Sequence, residues 1–255
     1  MKKYNVNVLQ KIKDPNIQDI RDISDVFEKI KNGVLKEKIE AIRSANDKAK
    51  INLLKESLPS FTVSATFNDR RIKENVKDYN GLIHLDYDGV DNPEQLKDVV
   101  SKLETTYCAF ISPSGNGLKV FVKTNSKQSD HSKAFKIVNE YYKDITGVES
   151  DQSVKDLTRL CFVSYDSKIF INENSKVFDI NEAVSLSATN SFNLEYVFNS
   201  TMLGFHEGSR HNVLISCAGK ANRLGIDKDE VVNYFKSYTN STFNLDEVIS
   251  SVEDI

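Results

Sequence analysis

The segment LIHLDYD, residues 82–88, constrains this chain more than any other. Its alternation has the period of a strand, so Leu85 and Tyr87 anchor one face. Asp86 and Asp88 then project from the other face, about 6.5 to 7 Å apart at Cα. Two carboxylates so placed can converge on cations about 3.5 to 4 Å apart, the spacing of two-ion phosphoryl transfer. Carboxylate oxygens select Mg²⁺ or Mn²⁺. The plain alternative is a solvated strand end that leads into a turn.

The 255 residues, 39% hydrophobic and 28% charged, suffice for one large core or a core with a small satellite. A net charge of −3 means that any contact with nucleic acid must use a local basic patch. No stretch is apolar and long enough for a signal peptide or a bilayer span. Cys108, Cys161 and Cys217 have no zinc-ligand spacing, and Cys108 and Cys161 lie in apolar runs, so buried thiols and a cytoplasmic location are expected.

Residues 4–9 alternate as a strand, and a helical zone follows from Ile23 to Leu58, with Gly33 and Pro59 as stops. SFTVSATF (60–67) reads as one strand, and NDRRIKENVKDYN (68–80) as a polar turn or short helix. Asn92 and Pro93 start the helix PEQLKDVVSKLE. TYCAFIS and LKVFVKT read as strands joined by PSGNG, a cluster of turn formers. An amphipathic helix is predicted over 130–144, then strands at RLCFVSYD and KIFIN. After Ile180 the texture becomes a polar linker and then purely helical. The expected domains are 1–180, mixed α+β; 181–195, a linker; and 196–255, a small all-helical domain. The last helix runs uncapped to the terminus, as in the front part of a longer polypeptide.

Rival readings of HLDYDG separate by spacing. A calcium loop needs Gly sixth and Glu twelfth, whereas Gly89 stands fourth from Asp86. LDYDGV fits the haloacid-dehalogenase phosphatase pattern, in which Asp86 would be a nucleophile. That family opens its catalytic domain with the motif, whereas residues 1–81 precede this strand, and no paired acidic motif follows. In ISPSGNGLK, two glycines allow backbone N–H groups to approach an anion, with Lys119 beside it; an ordinary hairpin turn is the alternative. The P-loop pattern is absent. In ESDQSVKDLTRLCFVSYDSK, Asp151 is a candidate third carboxylate and Arg159 a candidate phosphate partner, against the alternative of a solvated loop. His84 shares the face of the aspartates and reads as a partly buried strand histidine.

The order of these pieces (an aspartate pair on a strand, then SGNGLK, then Asp151 with RLCFVSYD) resembles the archaeo-eukaryotic primase superfamily. It is most similar to the BT4734-like or VirE N-terminal group of phages and bacterial mobile elements. LPSFTVSATFNDRRIKENVKDYNGLIHLDYD resembles that group's approach to its first motif, and EGSRHNVLISCAGKANRLG the helical domain that often follows such primases.

The resemblance implies an RRM-like catalytic domain followed by a primase C-terminal-like helical domain. It implies template-directed nucleotidyl transfer with two Mg²⁺ or Mn²⁺ ions on Asp86, Asp88 and Asp151. Ser114, Gly115, Gly117 and Lys119 would line the triphosphate, with Arg159 and Ser164 beside the incoming nucleotide. Arg70, Arg71 and Arg210 are the candidate nucleic-acid contacts. The implied partners are a single-stranded DNA template, nucleoside triphosphates, and a helicase downstream or on a separate chain. Two departures stand out. Lys119 takes the place of the superfamily's phosphate-binding His, and Asp151 follows Ser150 instead of an apolar residue, with Asp156 as a fallback. They leave open a non-catalytic nucleic-acid-binding module with the same fold.

Overall fold

A computed structural model of the chain describes residues 3–10, 19–181, 198, 202, 205–223, 226–240 and 243–253. Two compact units emerge: residues 1–139 with 149–180, and residues 140–148 with 181–255. The second unit thus takes in the end of a helix that the sequence assigns to the first domain. The linker expected over 181–195 lies, except for Asn181, outside the described residues.

The first unit is α+β. One sheet has the order β2 (Ile20–Asp22), β1 (Asn5–Leu9), β3 (Ser60–Thr62), β9 (Leu160–Phe162). The second has the order β10 (Phe170–Ile171), β7 (Thr106–Ile111), β8 (Gly117–Lys123), β6 (Leu82–Asp88). A third, β4 (Ala65–Phe67) with β5 (Val76–Tyr79), is two-stranded. Every pairing between these strands is antiparallel.

The helical zone becomes α1 (Ile23–Asn32), α2 (Lys36–Arg43) and α3 (Lys48–Glu56). Asp22 caps α1 by accepting the Ser24 N–H, and Gly33 ends it in the left-handed conformation. Ile23, Val26, Phe27 and Ile30 form its buried stripe. That stripe joins Val6 and Val8 of β1, Phe61 of β3, and Cys108, Phe110 and Phe121 of the second large sheet in one core. Phe27 and Phe61 each lie 6.0 Å from Phe121, ring to ring. All three cysteines are buried, as expected.

The outer face of the second sheet carries Ile83, Leu85, Tyr87, Val120 and Val122, all fully buried. Helix α4 (Pro93–Ser101) packs on β7 and β8, its N-cap Asn92 accepting the Gln95 N–H. Helix α5 (His131–Thr146) buries Ala134, Phe135, Val138 and Tyr142.

The structure corrects the expected strand at 60–67. It breaks after Thr62, because the carbonyls of Val63 and Ser64 are taken by the side chain and N–H of Asn80. The Phe67 N–H then turns to the side chain of Asn7. Part of the expected polar turn is strand β5, whose exposed Lys77 and Asp78 mask the strand pattern. Among the described residues, the second unit holds helices α6 (Arg210–Arg223), α7 (Lys228–Lys236) and α8 (Leu245–Glu253), with one bridge between Asn240 and Phe243. Leu214, Cys217, Phe235 and Val248 form part of its core. No helix among the described residues is long and apolar enough to cross a membrane.

Candidate functional site

The inner face of the second sheet changes character along β6. Leu82, His84 and the paired Phe121 are buried in or beside the core, and the same face then continues as Asp86 and Asp88. The antiparallel register sets Asp86 opposite Lys119 and Asp88 opposite Gly117. Residues directly opposite have Cβ atoms about 4.5 to 5.5 Å apart, so a charge pair is dictated by register. Lys119 Nζ contacts Asp86 Oδ1 and lies 3.8 Å from Asp88 Oδ1. The Lys119 side chain is 9% exposed and that of Asp86 13%, whereas Asp88 is 64% exposed. Burial works against the Lys119 charge, but Asp86 and Asp88 outweigh it and hold the ammonium pKa above its ordinary value.

The PSGNG turn is fixed from a distance. Arg43, at the end of α2, donates to the carbonyls of Ser112 (3.2 Å) and Tyr165 (2.9 Å). Gly115 has φ +82°, and a Cβ there would stand 3.3 Å from the Arg43 side chain. A Cβ at Gly117 would meet the Tyr87 carbonyl oxygen at 2.4 Å, so β8 can approach β6 this closely only with glycine.

The chain leaving α5 returns along the free edge of β6, where the Asp151 N–H donates to the Asp86 carbonyl at 2.7 Å. Ser150, which departs from the apolar pattern, is buried, and its hydroxyl donates to Asn139 Oδ1 at 2.7 Å. The position is therefore as enclosed as an apolar one. The Asp151 carboxylate caps the short turn Gln152–Lys155 by accepting the Ser153 N–H at 2.8 Å and the Ser153 hydroxyl. Burial pushes this carboxyl up, but the Ser153 hydroxyl and N–H, then Arg159 and Lys119, hold it below the usual carboxylate range. Arg159 donates to Ser153 Oγ at 2.6 Å, and Arg71 to the Thr158 carbonyl.

These elements enclose a cleft of about 310 Å³. Asp86, Asp88, Ser114, Lys119, Asp151 and Arg159 all line it, and so does Arg71. Ser112, Ser153 and Phe162, from the two motif segments though not singled out within them, line it as well, and so does Lys55, which nothing in its local sequence marks. Ser164 does not: it is fully buried, and its hydroxyl donates to the Ile111 carbonyl at 2.7 Å, so its role is structural. Gly115 and Gly117 shape the turn instead of lining the cleft. Arg70 is exposed and outside it. Asp156 is also outside, accepting the Thr158 N–H and pairing with Lys73 at 3.3 Å. Arg210 belongs to the second unit, its guanidinium 5.6 Å from the Phe243 ring centre. His84 is buried against Phe121, with both ring nitrogens lacking a hydrogen-bond partner, and burial lowers its pKa to about 3.

Among the described residues no three His, Cys, Asp or Glu side chains stand close enough to hold a metal ion. The expected carboxylate triad is therefore not assembled, because Asp151 is turned onto Ser153 and Asp86 onto Lys119. Asp86 with Asp88 does fit one hard divalent cation whose remaining ligands are substrate phosphates and water, as Mg²⁺ commonly takes.

Residues 53–170 match the family described as BT4734-like, N-terminal domain, a stretch that contains every cleft-lining side chain named above. No curated protein matches the chain. Among solved structures, the crystal structure of primase RepB′ is similar over 99% of this chain and 88% of that one, with 9% identity and a TM-score of 0.33.

Proposed function

From residues 53–170, which belong to the BT4734-like N-terminal domain family, we propose that the protein is a primase-like nucleotidyltransferase that copies a single-stranded DNA template. One observation carries this: Asp86, Asp88, Lys119, Asp151, Arg71 and Arg159, far apart in sequence, line one cleft. The succession β6-α4-β7-β8-α5, with β8 between β6 and β7, is compatible with an RRM-like core.

In the proposed reaction, a 3′ hydroxyl or the first nucleotide's hydroxyl attacks the α-phosphate of a nucleoside triphosphate. A new P–O bond forms as the α–β bridging bond breaks, pyrophosphate leaves, and the hydroxyl proton passes to solvent. Asp86 and Asp88 would hold Mg²⁺ or Mn²⁺, which when bound supplies neutralisation of the charge that develops on the phosphates. Lys119 offers the phosphates a compact positive charge. Arg71 and Arg159, already anchored by the Thr158 carbonyl and Ser153 Oγ, present planar donor forks. A second ion would require Asp151 to turn away from Ser153. In this reading the helical unit, through Arg210, adds template contacts. A helicase, downstream or on another chain, completes a cytoplasmic replication system of a phage or mobile element.

The test is incorporation of labelled nucleotide on single-stranded DNA with Mg²⁺ or Mn²⁺. Products from the wild type and none from Asp86→Ala/Asp88→Ala are expected. Equal products from both would sink the proposal.

The contacts of Lys119 with Asp86 and of Asp151 with Ser153 favour a second reading, a primase-like module that binds single strands without catalysis. It predicts metal-independent binding that survives loss of both aspartates, and no products from either protein. No observation favours the phosphatase reading.

A further inference from the structure

Before any ligand arrives, the carboxylates of the cleft already have counter-charges. The Lys119 ammonium touches Asp86 and stands 3.8 Å from Asp88, so it engages the same two carboxylates that would hold a divalent ion. Lys55, at the end of α3, lines the same cleft, and so do Arg71 and Arg159. Among the described residues, four cationic side chains thus face three anionic ones, which leaves this lining with a surplus positive charge.

That balance disfavours a free divalent cation on two counts. The ion enters a field that is already positive. It must also evict Lys119 from Asp86, leaving a largely buried ammonium unpaired, and removing one partner of a buried pair is strongly unfavourable. A metal–nucleoside triphosphate complex meets neither obstacle. It carries net negative charge, and its phosphates supply Lys119 with new acceptors as Asp86 is released to the metal.

We infer that the cleft takes its divalent cation together with a nucleoside triphosphate and not alone, with Lys119 as the internal counter-ion that occupies Asp86 until the phosphates draw it away. The inference rests on the nucleotidyl-transfer reading and adds to it an obligatory coupling between metal and nucleotide.

The experiment titrates the full chain with Mn²⁺ and follows free Mn²⁺ by its electron paramagnetic resonance signal. It is run with and without a non-hydrolysable nucleoside triphosphate, with Asp86→Ala/Asp88→Ala correcting for Mn²⁺ held by the analogue itself. Wild type should bind Mn²⁺ at least about tenfold more tightly with the analogue than without it. Lys119→Met should tighten binding of Mn²⁺ alone by about ten- to a hundredfold, the scale on which neighbouring groups tune metal affinity. Lys119→Arg, which keeps the charge, should behave as the wild type does. Equal Mn²⁺ affinity of the wild type with and without analogue overturns the inference, and that comparison needs no variant. Unchanged affinity for Mn²⁺ alone in a folded Lys119→Met also overturns it. If nucleotide is still incorporated in either case, the inference falls alone. If the analogue does not bind at all, the inference and the nucleotidyl-transfer reading fall together.

Discussion

Lys119 and Asp86 face each other across the β6–β8 pair and meet where the inner face of the sheet passes from core to cleft. Both side chains are mostly buried, so removing one strands the other's charge. Asp86→Asn should therefore destabilise the protein by about 3 kcal/mol, and Asp86→Asn/Lys119→Met should recover most of that loss. Urea unfolding of the singles and the double decides it, and simple additivity would contradict the pairing. Asp88, 64% exposed, is the cleaner catalytic probe. Asp88→Ala should shift stability by less than about 0.5 kcal/mol while abolishing incorporation.

Asp151 holds two roles that substitution can separate. As a cap it accepts the Ser153 N–H, and asparagine caps equally well. As a metal or phosphate-steering group it needs its charge. Asp151→Asn should keep stability within about 0.5 kcal/mol of wild type but lower incorporation, whereas Asp151→Ala should lose about 1 kcal/mol as well. Full incorporation by a folded Asp151→Asn would confine the residue to capping.

Much of this site is legible in sequence because strand period and turn position are local. LIHLDYD fixes which residues share a face, and PSGNG fixes where the chain turns between β7 and β8, but the approach of Lys119 to Asp86 needs the pairing of β8 with β6, which are not neighbours in the chain. Lys55 and Arg43 were illegible for the opposite reason. Each sits on an ordinary polar helix, and only tertiary packing brings Lys55 to the cleft or sets Arg43 against Ser112 and Tyr165. Ser164 was placed beside the nucleotide by the family resemblance alone, and nothing in RLCFVSYD shows that its hydroxyl is spent on the Ile111 carbonyl, a partner on another strand. The break in SFTVSATF depends on Asn80, well beyond the segment itself.

The two buried histidines predict acid lability. Burial lowers His84 to about 3 and His131 to about 4, so each stays neutral in the folded chain while its unfolded form takes up a proton near pH 6.5. Their stabilising effect is complete above pH 6.5 and is lost as pH falls towards 4 and then 3, on the order of 3 kcal/mol for each. Unfolding midpoints in urea should drop steeply between pH 7 and pH 4.5. His84→Leu should flatten that slope and raise stability at pH 7, because two unpartnered ring nitrogens leave the interior. A midpoint that does not change across this range would show that neither histidine resists protonation.

Gly115 and Gly117 sit two residues apart in one turn but answer to different constraints. Gly115 has a left-handed backbone, and its neighbour is the flexible Arg43 side chain, which can yield. Gly115→Ala should cost about 1 to 2 kcal/mol and weaken nucleotide binding more than turnover, because it disturbs the turn while leaving β6 in place. At Gly117 the obstacle is the Tyr87 carbonyl, 2.4 Å from where the Cβ would lie, and backbone on the strand that holds both aspartates cannot give way alone. Gly117→Ala should therefore push β8 away from β6, at more than about 3 kcal/mol. Faster hydrogen exchange should appear at the amides of Tyr87 to Gly89 in Gly117→Ala and be absent in Gly115→Ala. Equal exchange in the two variants would mean that the close approach at Gly117 does not hold the aspartate strand in register.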